Sequence, residues 1–165
     1  MEGKMCDMAF QVGDKVIHCT FGLGEITQIE EKFINGQTTN CYVVHITDMT
    51  IWIPIDDQQQ NSLRLPTTPE EFTKVLPILS SPNEKLDDDR VLRKEQLLEQ
   101  MRDGQLSSIC RVVRDLTHFQ RNSKLNDQER AILERAIKSL LAEWSLSLGT
   151  PVNQAHQAME SMLEV

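Results

Sequence analysis

Four histidines and four cysteines are the residues of this chain best suited to acid–base, nucleophilic or metal chemistry, and their spacing supports none of it. His18, His45, His118 and His156 fall in separate predicted elements, and Cys6, Cys19, Cys41 and Cys110 contain no C-x-x-C pair. A zinc site needs thiolates or imidazoles that converge on one ion. Only His18 and Cys19 are adjacent, and neighbours on a strand point to opposite faces. Gly22-Leu23-Gly24 looks like half of a phosphate loop, yet it joins two predicted strands, and no helix N-terminus follows to hold an anion. No Ser/His/Asp set, P-loop or dinucleotide fingerprint is present. The expectation is a protein that is not an enzyme, has no metal or cofactor, and keeps its thiols reduced and mostly buried.

The remaining chemistry is charge. Arg90, Arg93 and Lys94 are spaced i, i+3, i+4, and Arg111, Arg114, His118 and Arg121 follow at three, four and three. On a helix each set makes one stripe, readable either as a solvated face or as an anion contact. The chain as a whole carries −8, which opposes non-specific nucleic-acid binding. Residues 1–68 hold four Lys/Arg against nine Asp/Glu, and residues 69–165 hold thirteen against sixteen. Most of the arginine therefore sits in the second part, where a local basic face is compatible with the acidic total.

Two hydrophobic periods divide the 165 residues. From Phe10 to about Leu65 short runs rich in β-branched and aromatic residues alternate with turn chemistry, as strands do. Asn35-Gly36 predicts a two-residue hairpin. Gly13-Asp14 predicts a turn into the first strand, Gly22 and Gly24 a tight reversal, and the broken alternation at Ile26 and Ile29 a bulge. Four or five bent antiparallel strands suggest a small SH3-like or Tudor-like barrel. In alternation Ile51 and Ile53 share one face and Trp52 takes the other.

After Leu65 the period is helical. Thr68-Pro69-Glu70-Glu71 opens a short helix that Pro77 ends. Residues 80–89 read as a linker or loop. A helix then runs to Asp103 and is closed by Gly104, and another covers about Gln105 to Gln120 with Ile109, Val112, Val113 and Leu116 inside. Asn126 to Glu129 is a capping box that opens a long helix ending at Gly149. Trp144 lies on that helix's apolar side and reads as core. A last helix follows Thr150-Pro151, with Val152, Ala155, Met159 and Met162 on its apolar side. The fold class is α+β: an antiparallel β barrel in residues 1–68, then an all-α helical bundle in residues 69–165. No apolar run approaches the ~20 residues of a membrane span. "MEGKMCDMAF" lacks a signal-peptide core, so a cytoplasmic location is expected.

The stretch "FQVGDKVIHCTFGLGEITQIEEKFINGQ" resembles the opening of the RNA polymerase-interacting domain of the CarD/CdnL family of bacterial transcription regulators. That domain is shared with the transcription-repair coupling factor. The residues that carry the resemblance are Phe10, Val12, Gly13, Asp14, Val16, Ile17, Gly22, Gly24, Ile26, Ile29, Glu30 and Gly36. "IWIPIDD" sits where the family has a strand ending in Val-Pro. "DGQLSSICRVVRDL", Asp103 to Leu116, resembles the family's helical domain.

The resemblance implies a regulator that docks on the polymerase β subunit by adding a strand to its sheet edge. It places Lys32 and Trp52 at polymerase-facing positions. For Trp52 the alternative is a barrel-closing core residue, and for Lys32 an ordinary solvated charge. Trp52 stands where many relatives are basic. The resemblance further implies contact with promoter DNA in the open complex, where the family's tryptophan wedge falls at Arg90 here. Arg90, Arg93, Lys94, Arg111, Arg114 and Arg121 are the candidate DNA contacts, with Asp87, Asp88 and Asp89 as acidic neighbours. A monomer is expected. The competing reading is a protein-interaction module that uses the same barrel without touching promoter DNA.

Overall fold

A computed structural model of the chain describes residues 10–55 and 62–164. The chain divides into two compact units, Met1–Pro66 and Thr67–Val165.

The first unit is one antiparallel sheet of β1 (Lys15–His18), β2 (Gly22–Ile34), β3 (Gln37–Ile46), β4 (Met49–Pro54) and β5 (Leu63–Arg64), in the order β4-β3-β2-β1-β5. The Gly13-Asp14 turn is tied at both ends. Gly13 N donates to the Ile26 carbonyl at 2.7 Å, and Ile26 N donates back to the Asp14 carbonyl at 3.0 Å. Asp14 also accepts from Gln11 N at 2.9 Å, which closes the turn on itself. The hairpin from β2 to β3 turns on Asn35 and Gly36, both at positive φ (52° and 79°), as the two-residue turn demands. The register slips between Ile26 and Gln28, at the expected bulge. Gly24 is required by close approach: a Cβ there would lie 2.6 Å from Ile46 Cγ1 and 2.9 Å from the His45 carbonyl. Phe10, Val16, Ile26, Tyr42, Val44, Ile46 and Leu63 form the core, with Ile51 and Ile53 packed beside them.

The expected barrel is not closed. Closure needs the end strands to pair, but β5 has two residues and bonds to β1, and β4 bonds to β3 alone among the described strands. Among the described residues, the outer edge of β4 has no partner strand.

The second unit has five α-helices: α1 (Pro69–Val75), α2 (Arg90–Asp103), α3 (Leu106–Asn122), α4 (Asp127–Leu148) and α5 (Val152–Leu163). Thr68 caps α1 by accepting from Glu71 N, and a 3-10 helix (Leu76–Ser80) takes over, with Pro77 in its first turn where no donor is needed. Asn126 and Glu129 form the reciprocal capping box of α4. Gly104 and Gly149 end α2 and α4 in the left-handed conformation. Ile109, Val112, Val113, Leu116, Leu133, Leu140, Leu141 and Trp144 are buried in one core, and Trp144 packs on Phe72 at 5.8 Å.

Residues 81–89 form a loop, as expected, and it is pinned, since Leu86 is buried in the core and Glu84 N donates to Asp115 at 3.0 Å. One expectation does change. Val152 is exposed, and Leu163 takes the buried position at the other end of α5. Among the described residues, no helix is long and apolar enough to cross a membrane.

Candidate functional site

Each unit carries its own candidate surface. In the sheet, Val43 of β3 pairs with Gln28 of β2 on one side and with Trp52 of β4 on the other. Cys41, two residues along, pairs with Glu30 and Pro54, and Thr39 pairs with Lys32. Alternation puts Gln28, Glu30, Lys32 and Trp52 on the face opposite the core. Trp52 is on that outer face and 39% exposed, as the alternation with Ile51 and Ile53 predicts. Its indole Nε1 donates to Glu30 Oε1 at 2.6 Å. Lys32 Nζ lies 4.3 Å from the ring centroid, a cation–π contact. Lys32 and Trp52, twenty positions apart in sequence, are thus one contiguous patch reaching from β4 across β3 to β2.

The basic residues of the helical unit divide into two groups. Arg93 and Arg114 are buried, which corrects their expected place on an exposed face. Arg93 Nε donates to Glu129 at 2.5 Å, Nη1 donates to the Asp87 carbonyl at 2.9 Å, and the guanidinium lies over Phe119. Arg114 Nε donates to Asp115 and Nη1 to Ser81 Oγ, both at 2.8 Å. The reason is the helix period: Arg93, Leu97 and Met101 recur every four residues, so Arg93 shares the buried side of α2. Arg90 is exposed, and Lys94 and Arg111 are half-buried. Arg90, Lys94 and Arg111 have no ion pair among the described residues. Arg121 is exposed and partly engaged: Nη2 donates to the Leu163 carbonyl at 2.6 Å, and Nη1 faces His118 Nδ1 at 3.2 Å.

The acids around Arg90 have local work. Asp89 caps α2 by accepting from Val91 N and Leu92 N, and Asp87 accepts from Asp89 N at 2.8 Å. Immediately after that cap, Val91 (67% exposed) and Leu92 (47%) present apolar side chains to solvent beside Arg90. Sequence reasoning did not single them out. The available signal was their phase, since neither falls on the 93–97–101 stripe.

Of the described histidines and thiols, His18, Cys41 and Cys110 are buried. His18 is buried, and its Nδ1 accepts from Thr20 N at 3.0 Å and Phe21 N at 3.2 Å. Burial lowers its pKa below 6.5. Burial first, then the nearby Glu143 carboxylate, pushes the Cys110 thiol up to about 12. Cys41 is buried too, Cys19 is half-buried, and Cys6 lies outside the described residues. No group of three His, Cys, Asp or Glu that could hold a metal occurs among the described residues.

Residues 10–65 match the family model described as the CarD-like/TRCF RID domain, and residues 74–160 match that of the CarD C-terminal domain. The chain belongs to the CarD family. Each of the two CarD matches falls inside one compact unit. A relative is YdeB of Bacillus subtilis (strain 168), named as a candidate transcription factor. It is 26% identical over 151 residues, which cover 88% of this chain and 96% of YdeB. The CarD-like RID match includes Lys32 and Trp52, and the CarD C-terminal match includes all six basic candidates of the helical unit.

Proposed function

We propose that this chain is a transcription regulator that docks on the β subunit of RNA polymerase through its sheet unit and modulates promoter open-complex stability through its helical unit. One observation carries the first half: β4 is a sheet edge with no second partner strand among the described residues, and its Trp52 reaches across β3 to Lys32 of β2 to form one exposed patch on the outer face. An open edge can bond to a partner strand through its main chain, while side chains beside it supply specificity. An exposed indole with a cation over its ring is a suitable anchor, because large aromatic side chains dominate interface energetics.

For the second half, the DNA-facing group is Arg90 and Lys94 of α2, with Arg111 and Arg121 of α3. Arg93 and Arg114 drop out, since their guanidinium groups are already bonded inside the unit. Arg90 suits a narrow minor groove, where negative potential is concentrated. Of its acidic neighbours, Asp87 and Asp89 are bonded to backbone amides, and Asp88 faces Lys85 Nζ at 3.8 Å. A second reading, in which the helical unit binds a protein, is favoured by the exposed Val91 and Leu92.

The test uses the full chain and core RNA polymerase. Wild type binds; Lys32→Glu and Trp52→Ala each weaken binding without unfolding the sheet unit. Unchanged affinity in both variants sinks the docking face. Binding that leaves open-complex lifetime unchanged removes the DNA half and favours the protein-binding reading.

A further inference from the structure

Glu30 lies outside the Lys32–Trp52 pair, yet its carboxylate is bonded to the indole. Oε1 accepts from Trp52 Nε1 at 2.6 Å, and Oε2 accepts from Gln28 Nε2 at 3.1 Å, so both oxygens are tied. Trp52 starts in the row of Gln28 and Val43, whereas Glu30 belongs to the row of Cys41 and Pro54. Lys32, which reaches the same ring, is one row further along, opposite Thr39. The ring therefore runs from β4 across β3 to β2. Cys41 and Val43, on that side of β3, are buried although they are not part of the unit's core. A tryptophan side chain has more than one staggered rotamer, so a hydrogen bond to the indole N–H can select among them.

The geometry points to Glu30 as a positioning residue: it holds Trp52 across β3, so that a partner meets a prebuilt ammonium–indole unit instead of two independent side chains. This inference rests on the docking reading above and adds what that surface recognises. The indole N–H is already donated to Glu30, so the partner reads the ring and the Lys32 ammonium. The matching partner surface is an apolar recess with a carboxylate beside it. Holding the ring in place before contact removes the ordering cost from binding.

The test combines affinity for core RNA polymerase with the indole N–H resonance of Trp52 in the free full-length chain. That resonance is identified by its loss in Trp52→Ala; Trp144 supplies the other. Glu30→Ala weakens binding on the order of tenfold, the effect of one charge-assisted hydrogen bond. It also shifts the Trp52 indole signal and speeds its exchange with solvent. Glu30→Gln keeps an acceptor oxygen in place and restores most of both. Glu30→Ala/Trp52→Ala binds no more weakly than Trp52→Ala, because the two act as one unit. Wild-type affinity in Glu30→Ala, or losses that multiply in the double variant, overturns the inference. If wild type fails to bind polymerase, the docking reading falls and the recognition role with it. The indole signal then still decides by itself whether Glu30 holds the ring, since an unmoved signal in Glu30→Ala refutes that too.

Discussion

Arg93 and Glu129, thirty-six positions apart, meet at 2.5 Å with both side chains out of solvent. Glu129 also closes the capping box of α4 by accepting from Asn126 N at 3.0 Å. The one pair thus joins the start of α2, the segment at Asp87 and the start of α4. Removing one partner leaves a buried charge uncompensated. Arg93→Ala is expected to destabilise the helical unit by about 3–5 kcal/mol. Arg90→Ala, on the exposed side of the same helix, should change stability by no more than about 0.5 kcal/mol. Urea denaturation of both variants checks the contrast, and equal midpoints would refute it.

Arg90→Glu and Lys94→Glu should each shorten open-complex lifetime and lower the salt dependence of DNA-linked binding by about one counterion per lost contact. Lifetime measured across a salt series reads both effects. The Arg93 position cannot serve in this test, because its loss of stability masks any DNA effect. Unaltered lifetime and slope in both variants would remove α2 from the DNA surface.

Gly24→Ala should destabilise the sheet unit by about 1–3 kcal/mol, the usual cost of overpacking. The Ile46 side chain can rotate away from an added methyl, but the His45 carbonyl at 2.9 Å is backbone and cannot. Thermal unfolding measures the loss, and a wild-type midpoint would mean that β3 yields at little cost.

His18 makes the sheet unit sensitive to acid. Its Nδ1 accepts two backbone N–H groups, so protonation places a hydrogen where two donors already point. Burial also disfavours the charged ring, and it is burial that lowers the pKa below 6.5. The stabilisation is therefore complete above about pH 6.5, the unfolded value, and is lost as pH falls through the lower folded value. His18→Asn keeps an uncharged acceptor, and its stability should fall less steeply than wild type between pH 7 and pH 5. An NMR titration of the His18 ring with a midpoint above 6.5 would contradict the sign.

Local patterns in the sequence were enough for the elements. The Asn126–Glu129 box, Gly104, Gly149 and Asn35-Gly36 act within a few residues of themselves, and each bounds its helix or hairpin as its chemistry requires. Strand alternation also placed Trp52 on the outer face. The motif from Phe10 to Gly36, followed by Val-Val-Arg-Asp-Leu, pointed to the CarD family. What the sequence could not decide depends on distant partners. The 93–97–101 phase is local and puts Arg93 on the buried side of α2, but that its partner there is Glu129, thirty-six positions away, follows only from packing against α4. Glu30 and Trp52 become neighbours through the register across β3, which no local spacing encodes. The sheet stays open because β5 is two residues long and bonds to β1. Period and caps act locally; charge pairing, ring orientation and strand closure are long-range, and the tertiary structure alone decides them.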